Sequence, residues 1–449
     1  MHPRLRMGCI MAKKKQKKKS TSNPCIEAEL NKLFSPEWLR KTAKETGLIK
    51  RERKIDPVIM FWVLVLGFGV QLQRTLASLH REYEEKRSIH LSRGSFYERF
   101  SPELVRFLHA CVVHGMEQLA TTTQCALKER LSRFKDLLIQ DSTIIRVHEN
   151  LAKKWPAART RKVAAGVKLS VLVSAVFDGP KRVMIHGERI GEVKTLRIGP
   201  WIKDRILLVD LAFYKFRVFT RIKEHGGFFV SRVKDNADPV IIQTYMVCRG
   251  RSIDLVDKHL SDIISKLKRK VLDVEVEVSF RRRAYNGKQK GDTERFRLVA
   301  VYNKEERQYH CYLTNISSEI LSAEEIATLY AARWHVELIF KELKSRYGID
   351  ILPTRNPEIV EALLWVGILT LLVSRKVYWL VCEHNLERAV RYTHLRWATI
   401  FAEKAHRLLD SVLAYTGLYL DMMDHFRVYE SQALDPNVNR QRLSDVWRA

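Results

Sequence analysis

Two aspartates of this chain each follow directly on a short apolar segment. Asp141 comes after Leu-Leu-Ile-Gln, and Asp210 comes after Ile-Leu-Leu-Val. An ionised carboxylate beside apolar strands is costly unless it is paired or binds a cation, and ligand sites of open α/β sheets form at the carboxyl ends of strands. Metal binding is therefore one interpretation of both residues. An ordinary aspartate in a turn is the alternative, and each residue taken alone fits it.

A third acidic residue, Glu337, lies in the segment Leu329–Ser345, whose pattern predicts one continuous helix. At about 100° per residue, a stripe of roughly 80° carries an acid among cations. Its members are Tyr330, Arg333, Glu337, Lys341 and Lys344. The adjacent stripe is apolar and is expected to face the core; it consists of Leu329, Ala332, Val336, Ile339, Phe340 and Leu343. A solvated face with ordinary i,i+4 salt bridges is the alternative to a functional stripe.

The residues of the first stripe match a known signature in type and spacing. Tyr330, Arg333, Glu337 and Lys344 reproduce the Tyr-Arg-Glu-Lys pattern of a bacterial transposase family. Together with the two preceding aspartates, the chain resembles insertion-sequence transposases of the DDE type, family 4. The resemblance extends over most of the chain and includes a long β-containing stretch between Asp210 and Glu337. One departure is Leu211-Ala212, where many relatives carry a basic residue or glycine.

The resemblance implies a catalytic triad of Asp141, Asp210 and Glu337 that binds two Mg²⁺ ions, with Mn²⁺ as the alternative metal. Phosphodiester cleavage by in-line attack uses one metal to activate the nucleophile and a second to stabilise the leaving oxygen. Carboxylate oxygens are suitable ligands for Mg²⁺. By the same resemblance, Asp141 is expected to bridge the two ions.

The resemblance also implies which residues contact DNA. It assigns phosphate contacts near the cleaved end to side chains that combine positive charge with hydrogen-bond donors. The predicted DNA-binding residues are Tyr330, Arg333, Lys341, Lys344, Arg232 and Thr143. Some relatives cut the second strand through a DNA hairpin and stack a flipped base on tryptophan. The stretch from Ile202 to Arg333 here has no tryptophan. Tyr285 is the hypothesised substitute, with Tyr302 as a second candidate and ordinary core packing of both tyrosines as the alternative.

The periodicity of the chain predicts the elements that position these residues. We expect an α/β ribonuclease H-like catalytic core, interrupted by a β-rich insertion and flanked by helical N- and C-terminal domains. Helical periodicity is predicted at 57–80 and around 253–267, and a strand is predicted to end at Gln140. The predicted parts are a basic disordered arm at 1–33, a helical DNA-binding domain at 34–130, the core at 131–234 and 309–350, the insertion at 235–308, and a helical C-terminal region at 351–449.

Composition indicates the class of partner. The chain has 79 lysines and arginines against 51 acidic residues, a net charge of +28. Such a charge favours a polyanion, because basic contacts to phosphate release condensed counterions. A merely cationic protein is the alternative. Its seven cysteines have no Cys-x-x-Cys pair, as is typical of reduced thiols in a cytoplasmic protein. Two apolar runs, Val58–Val70 and Ala362–Ser374, fall short of the roughly 20 residues of a membrane span.

These observations lead to one preferred function. The sequence predicts a cytoplasmic, nucleoid-associated transposase that acts on double-stranded DNA as a homodimer, with no membrane partner. It is expected to bind terminal inverted repeats, cleave them and join them to target DNA. A nuclease of the same fold that performs no strand transfer is one alternative. A non-catalytic DNA-binding protein descended from a transposase is another.

Overall fold

The computed structural model describes most of the chain. The described residues are 25–51, 55–70, 75–122, 126–158, 163–245, 247–248, 251–252, 254–281, 291–352, 354–385, 391–416 and 447. The hypothesis on Tyr285 and the basic run Lys13–Lys19 lie outside them. Contacts divide the chain into two compact units, Met1–Glu129 with Trp365–Ala449, and Arg130–Leu364.

The first unit is helical. Its helices are α1 (Ile26–Leu33), α2 (Pro36–Glu45), α3 (Pro57–Trp62), α4 (Leu76–Arg87), α5 (Arg93–Tyr97), α6 (Pro102–Thr122), the C-terminal part of α12 (Pro357–His384), and α13 (His394–Tyr415). The predicted disordered arm at 1–33 is wrong in part, because residues Ile26–Leu33 form helix α1. It forms because Ile26, Leu30 and Leu33 recur at helical spacing and are all buried. Helix α2 has ordinary start and stop residues: the Ser35 side chain caps its first turn, and Gly47 follows its end with a φ of +80°.

The predicted helical stretch 57–80 is interrupted in the structure. A π-helical turn, Val63–Phe68, follows α3, and α4 begins only at Leu76 behind a capping box at Thr75. Such a turn leaves backbone carbonyls without their usual partners. One of them is satisfied from a distant helix, because the Thr370 hydroxyl of α12 donates to the Val65 carbonyl at 2.9 Å. Sequence periodicity alone carries no sign of this tertiary contact.

The second unit is built on a nine-stranded mixed sheet. Its strands are β1 (Asp136–Arg146), β2 (Gly166–Ser174), β3 (Gly179–Gly187), β4 (Arg205–Val209), β5 (Phe228–Arg232), β6 (Val240–Thr244), β9 (Val271–Arg281), β10 (Gly291–Asn303) and β11 (Gln308–Thr314). Across the sheet they lie in the order β3-β2-β1-β4-β5-β11-β10-β9-β6. Two short strands, β7 (Val247–Cys248) and β8 (Arg251–Ser252), form a separate pair. The β1–β4 and β4–β5 pairs are parallel, and the other pairs are antiparallel.

The β-rich insertion continues the sheet of the core. Strands β9 and β10 join it through β11, which pairs with β5. Apolar residues alternate along β9 and face the core, since Val274, Val276 and Val278 are buried. The predicted helix around 253–267 is wrong in extent, because only α9 (Leu260–Ile264) forms. Its neighbour Val256 is exposed, so the apolar pattern there does not follow one buried helical face.

Further helices of this unit cover the sheet. They are α7 (Glu192–Thr195), α8 (Phe216–Glu224), α10 (Ala323–Ala331) and α11 (Trp334–Ser345). Phe219 and Ile222 of α8 belong to the same buried cluster as Val209 and Val276 of the sheet. Helix α11 packs against β1, and α10 packs against β5, β9, β10 and β11.

Helix α12 contains the predicted apolar run 362–374 and extends it. By length and composition the helix is able to cross a membrane, but 78% of its most apolar window is buried within the protein. Buried core helices commonly have this composition, so one such helix is weak evidence for a membrane span.

Candidate active site

Asp141 lies inside a strand and not directly after one. The sequence predicts that the strand ends at Gln140, whereas β1 continues to Arg146. The extension is held on one side only, where residues from Ser142 to Arg146 pair with β2. On the other side, the pairing with β4 ends at Gln140 opposite Val209. Asp141 is therefore the first residue of β1 beyond the edge of β4.

Parallel register brings Asp210 and Arg232 to the same edge. Val209 pairs with Gln140 on one side and with Ser231 on the other. The next residues along the chain are Asp141, Asp210 and Arg232, which form a row where the parallel pairing of β1, β4 and β5 ends. The row follows from register alone, because neighbouring residues of parallel strands advance together.

The predicted helix Leu329–Ser345 is two helices. The turn between α10 and α11 lies at Ala332 and Arg333, where the Arg333 amide donates to the Tyr330 carbonyl at 3.0 Å. This bond spans three residues and tightens the chain locally. The predicted apolar stripe of six residues is buried throughout, as expected. Arg333 is also buried, although the sequence places it on the functional stripe.

Arg333 connects two of the three candidate carboxylates. Its Nη1 donates to Asp141 Oδ2 at 3.3 Å, and its Nη2 donates to Glu337 Oε1 at 2.7 Å. Burial lowers the pKa of Arg333, but the hydrogen bond and the charge of Glu337, with further contributions from Tyr330 and Asp210, raise it overall. One guanidinium thus lies among Asp141, Glu337 and Asp210.

The charge on Asp141 is only partly compensated. Burial raises its pKa to about 6; a hydrogen bond from the Ser142 amide at 2.7 Å and the charge of Arg333 oppose this effect, while Asp210 and Glu337 add to it. The three acids therefore interact electrostatically at one place. Carboxylates crowded in this way favour a bound cation.

Asp210 does not behave as a turn aspartate. It precedes the short 3₁₀ turn Leu211–Phe213 in the N-cap position, yet its side chain makes no capping hydrogen bond. Only its backbone carbonyl serves the turn, by accepting from the Phe213 amide at 3.0 Å. The alternative considered from sequence, a carboxylate used to stabilise a turn, therefore does not describe Asp210.

Tyr330 and Lys344 flank the carboxylates. The Tyr330 hydroxyl donates to the Val209 carbonyl at 3.3 Å, and burial raises its pKa to about 12, so it remains a donor at neutral pH. Lys344 Nζ donates to the Ile144 carbonyl of β1 at 3.2 Å. Both groups thus lie against the strands that carry Asp141 and Asp210.

The sequence of this region matches a known family. A family model described as the transposase DDE domain matches residues 132–373, which are more than half of the chain and include Asp141, Asp210 and Glu337. The chain belongs to the transposase DDE-domain family. The predicted resemblance to bacterial insertion-sequence transposases of the DDE type is thereby confirmed.

Curated relatives named as insertion-sequence transposases are similar to this chain over most of their length. The chain is 24% identical over 386 residues to the transposase for insertion sequence element IS231F of Bacillus thuringiensis subsp. israelensis, which covers 76% of this chain and 77% of the relative. It is 20% identical over 382 residues to the transposase for insertion sequence element IS1151 of Clostridium perfringens, which covers 78% and 80%. Transposition is accordingly the function of the family to which this chain belongs.

The remaining predicted DNA contacts of this family member lie around the row. Thr143 is partly buried and shares a face of β1 with Asp141, since side chains alternate along a strand. Lys341 is exposed one helical turn beyond Glu337. Arg333 thus contacts the acidic residues, Tyr330 and Lys344 contact carbonyls of β4 and β1, and Lys341 is exposed to solvent.

A second set of polar residues behind Asp141 was not predicted. The Ser142 hydroxyl donates to Glu192 Oε2 at 2.8 Å, and Lys168 Nζ lies 2.8 Å from Glu192 Oε1. This buried ion pair lies behind the strand that presents Asp141. A lone lysine in the apolar run Val167–Val173 is the one signal that sequence offers, and the partner on α7 cannot be read from it.

Proposed function

We propose that this protein cleaves DNA at the terminal inverted repeats of an insertion sequence and joins the freed ends to target DNA. The single observation that carries the proposal is the convergence of Asp141, Asp210 and Glu337 on Arg333, within the region that matches the DDE family. Asp141 and Asp210 lie where the parallel pairing of β1 and β4 ends, and Glu337 lies on α11. Carboxylates grouped at such a place supply oxygen ligands for divalent ions.

The chemistry of the acids fits a metal. One guanidinium is shared among three carboxylates, and the raised pKa of Asp141 reflects burial together with uncompensated negative charge. Asp141, Asp210 and Glu337 would hold two Mg²⁺ ions, or Mn²⁺ in their place, with Asp141 between them. When bound, such ions would activate the attacking oxygen and stabilise the leaving oxygen.

The other residues of the site would position DNA. Arg333 reaches both Asp141 and Glu337, so its guanidinium would meet a phosphate held at these acids. Tyr330 and Lys344 donate to backbone carbonyls at the same edge and would exchange these for phosphate oxygens. Arg232 extends the row on β5, and Thr143 and Lys341 would contribute outer contacts.

Strand order supports a ribonuclease H-like core. Three strands, β1 to β3, are connected in antiparallel succession, and β4 and β5 then add in parallel beside β1 with α8 between them. The signature Tyr330, Arg333, Glu337 and Lys344 supports membership of insertion-sequence family 4 within the DDE group. On this reading 235–308 is the family's insertion, the helical region 34–130 contacts DNA, and 351–449 is a helical C-terminal region.

The partners follow from the reaction. The net charge of +28 supports binding to the duplex at the element ends and to target DNA. Two ends must be cut and joined together, so a homodimer on DNA is the proposed assembly, and the cytoplasm with the nucleoid is the proposed location.

The test is a reaction on a plasmid that carries the DNA bordering this gene on both sides. Purified protein with Mg²⁺ is expected to cut at the borders and to insert the excised segment into a second plasmid, and sequencing of junctions would locate both steps. Cleavage without joined products would instead favour the nuclease. Binding without cleavage in either metal would favour the non-catalytic protein and overturn the proposal.

A further inference from the structure

A broad groove runs beside α8 on the second unit. Its walls are the segment Val193–Ile198 on one side and α8 on the other, and Phe280 of β9 closes part of it. The groove has a volume of about 710 Å³, far more than a packing defect. It is distinct from the acidic residues, none of which lines it.

The lining of the groove is strongly basic. Four exposed cations project from its walls, with Glu224 as the single carboxylate among the lining residues. The cations are Lys194, Arg197, Arg217 and Arg221. None of the four forms an ion pair with another residue in the part of the chain that the structure describes.

Three exposed lysines elsewhere in this unit have carboxylate partners. On the same helix, Lys223 lies 2.8 Å from Glu294. Lys135 lies 2.7 Å from Asp204, and Lys154 lies 2.9 Å from Glu361. The groove therefore concentrates cations whose charge the protein does not itself balance.

Two of the groove's cations, Arg217 and Arg221, repel each other within helix α8. Arg217 and Arg221 are one turn apart on α8 and share its exposed stripe, while Phe219 and Ile222 pack into the core. Like charges at i and i+4 repel and destabilise a helix by a few tenths of a kcal/mol. An anion bound from outside the chain would remove this repulsion.

The groove begins at the edge of the sheet that carries the acidic residues. Helix α8 follows Asp210 after a short turn, so Arg217 lies at the end of α8 nearer to that edge. On the opposite wall, Glu192 precedes the groove segment and bonds to Ser142, the neighbour of Asp141. A chain of phosphates that enters the groove would thus lead away from the acidic row.

We propose that this groove binds the phosphate backbone of double-stranded DNA without regard to base sequence. Helix α8 spans roughly 13 Å, and a duplex carries one charge per about 1.7 Å of its axis, so several phosphates face the groove. Arginine forks match phosphate oxygens, and contacts to phosphate carry no information on base sequence. The inference rests on the proposed function only in that the partner is DNA.

The test compares two triple variants of the full chain. The groove variant is Arg197→Ala with Arg217→Ala and Arg221→Ala, all at exposed positions. The control is Lys135→Ala with Lys154→Ala and Lys223→Ala, which removes the same charge from cations that have carboxylate partners. Circular dichroism would verify that both variants are folded.

Binding is measured without metal by fluorescence anisotropy over a range of salt concentrations. One duplex comes from the border of the gene, and a second has the same length and a shuffled sequence. The groove variant is expected to lose affinity tenfold or more for both duplexes, and its salt slope should fall by about 2.7, from roughly 0.9 per phosphate contact. The control variant should stay within about twofold of the wild type at low salt.

Equal salt slopes in the wild type and the groove variant would overturn the proposal, and so would a loss confined to one duplex. Because no metal is present, the result does not depend on cleavage. Failure of the groove proposal would leave metal-dependent cleavage by the wild type intact. Failure of the proposed reaction would appear as an inactive wild type that still loses DNA affinity in the groove variant.

Discussion

Strand β1 has one aspartate at its amino end and one at its centre, and the two are held differently. Asp136, at the amino end, accepts from the Ser174 hydroxyl at 2.8 and 2.9 Å and from Lys181 Nζ at 3.1 Å. Asp141, the central residue of the strand, shares Arg333 with Glu337 and lies near Asp210 as well. Asp136 thus has hydrogen-bond donors of its own, whereas Asp141 shares its guanidinium partner with a second carboxylate.

The comparison separates an acid with partners of its own from an acid that we propose to be functional. Burial raises the pKa of both aspartates, and at Asp136 the charge and hydrogen bonds of Lys181 and Ser174 oppose this rise. At Asp141 two further acids reinforce the rise. Burial alone therefore does not identify a site. The informative observation is a buried acid whose neighbours leave negative charge uncompensated.

The largest predicted effect concerns cleavage. Asp141→Asn, Asp210→Asn or Glu337→Gln is expected to reduce Mg²⁺-dependent cleavage to background, because an amide lacks the charge that metal ligation requires. Asp136→Asn, on the same strand, should retain cleavage at a temperature where it is folded. Cleavage products would be quantified on denaturing gels. Normal cleavage by any of the first three variants would remove that residue from the site.

The free energy of unfolding should change more in Asp136→Asn than in Asp141→Asn, the reverse of the order expected for cleavage. Asp136→Asn is expected to lower the free energy of unfolding by about 1–3 kcal/mol, because it weakens buried hydrogen bonds and leaves Lys181 without its partner. Asp141→Asn removes a charge near two other acids, so stability without metal should change by less than about 1 kcal/mol. Urea unfolding followed by circular dichroism measures both. A larger loss for Asp141→Asn would contradict the assigned difference.

Replacement of Arg333 tests whether this side chain binds DNA in addition to Asp141 and Glu337. Arg333→Ala is expected to weaken binding of the element end by about 1.5–3 kcal/mol, the value of one charge-assisted contact. Metal affinity should not fall, since the variant removes a cation that competes for Asp141 and Glu337. Calorimetric titration with Mn²⁺ and anisotropy with end DNA provide the two readouts. If the variant lost metal binding but bound DNA normally, the assignment of Arg333 to DNA binding would be wrong.

The smallest effects are expected from two lysines of α11. Lys344 lies against the Ile144 carbonyl of β1, whereas Lys341 is exposed. Lys344→Ala should slow cleavage of bound ends about tenfold, and Lys341→Ala should change it by less than about threefold, as for an exposed charge screened by solvent. Single-turnover rates on precut ends make the comparison. Equal effects would show that position on the helix does not matter.

The sequence predicts the triad and much of the sheet, because both depend on local signals. Apolar alternation locates Val274, Val276 and Val278, and fixed spacing locates Glu337 and its flanking cations. It does not predict where β1 ends, since the extension past Gln140 depends on pairing with β2.

Two other features depend on distant contacts in the same way. The hydrogen bond from Thr370 that accompanies the π-helical turn comes from about three hundred residues away in sequence. The ion pair of Lys168 with Glu192 forms only when β2 and α7 meet. Register and tertiary hydrogen bonds leave no periodic trace in a single sequence.

We expect Asp141, at the centre of β1, to form a metal site with Asp210 and Glu337, whereas Asp136, at the amino end of the strand, should bind no metal. Thermal unfolding of wild type, Asp136→Asn and Asp141→Asn with increasing Mn²⁺ or Mg²⁺ tests this expectation directly, because a ligand that binds only the folded state raises Tm with its concentration. The account predicts a metal-dependent rise for the wild type and for Asp136→Asn, and little or none for Asp141→Asn. An equal rise in Asp141→Asn and the wild type would contradict it.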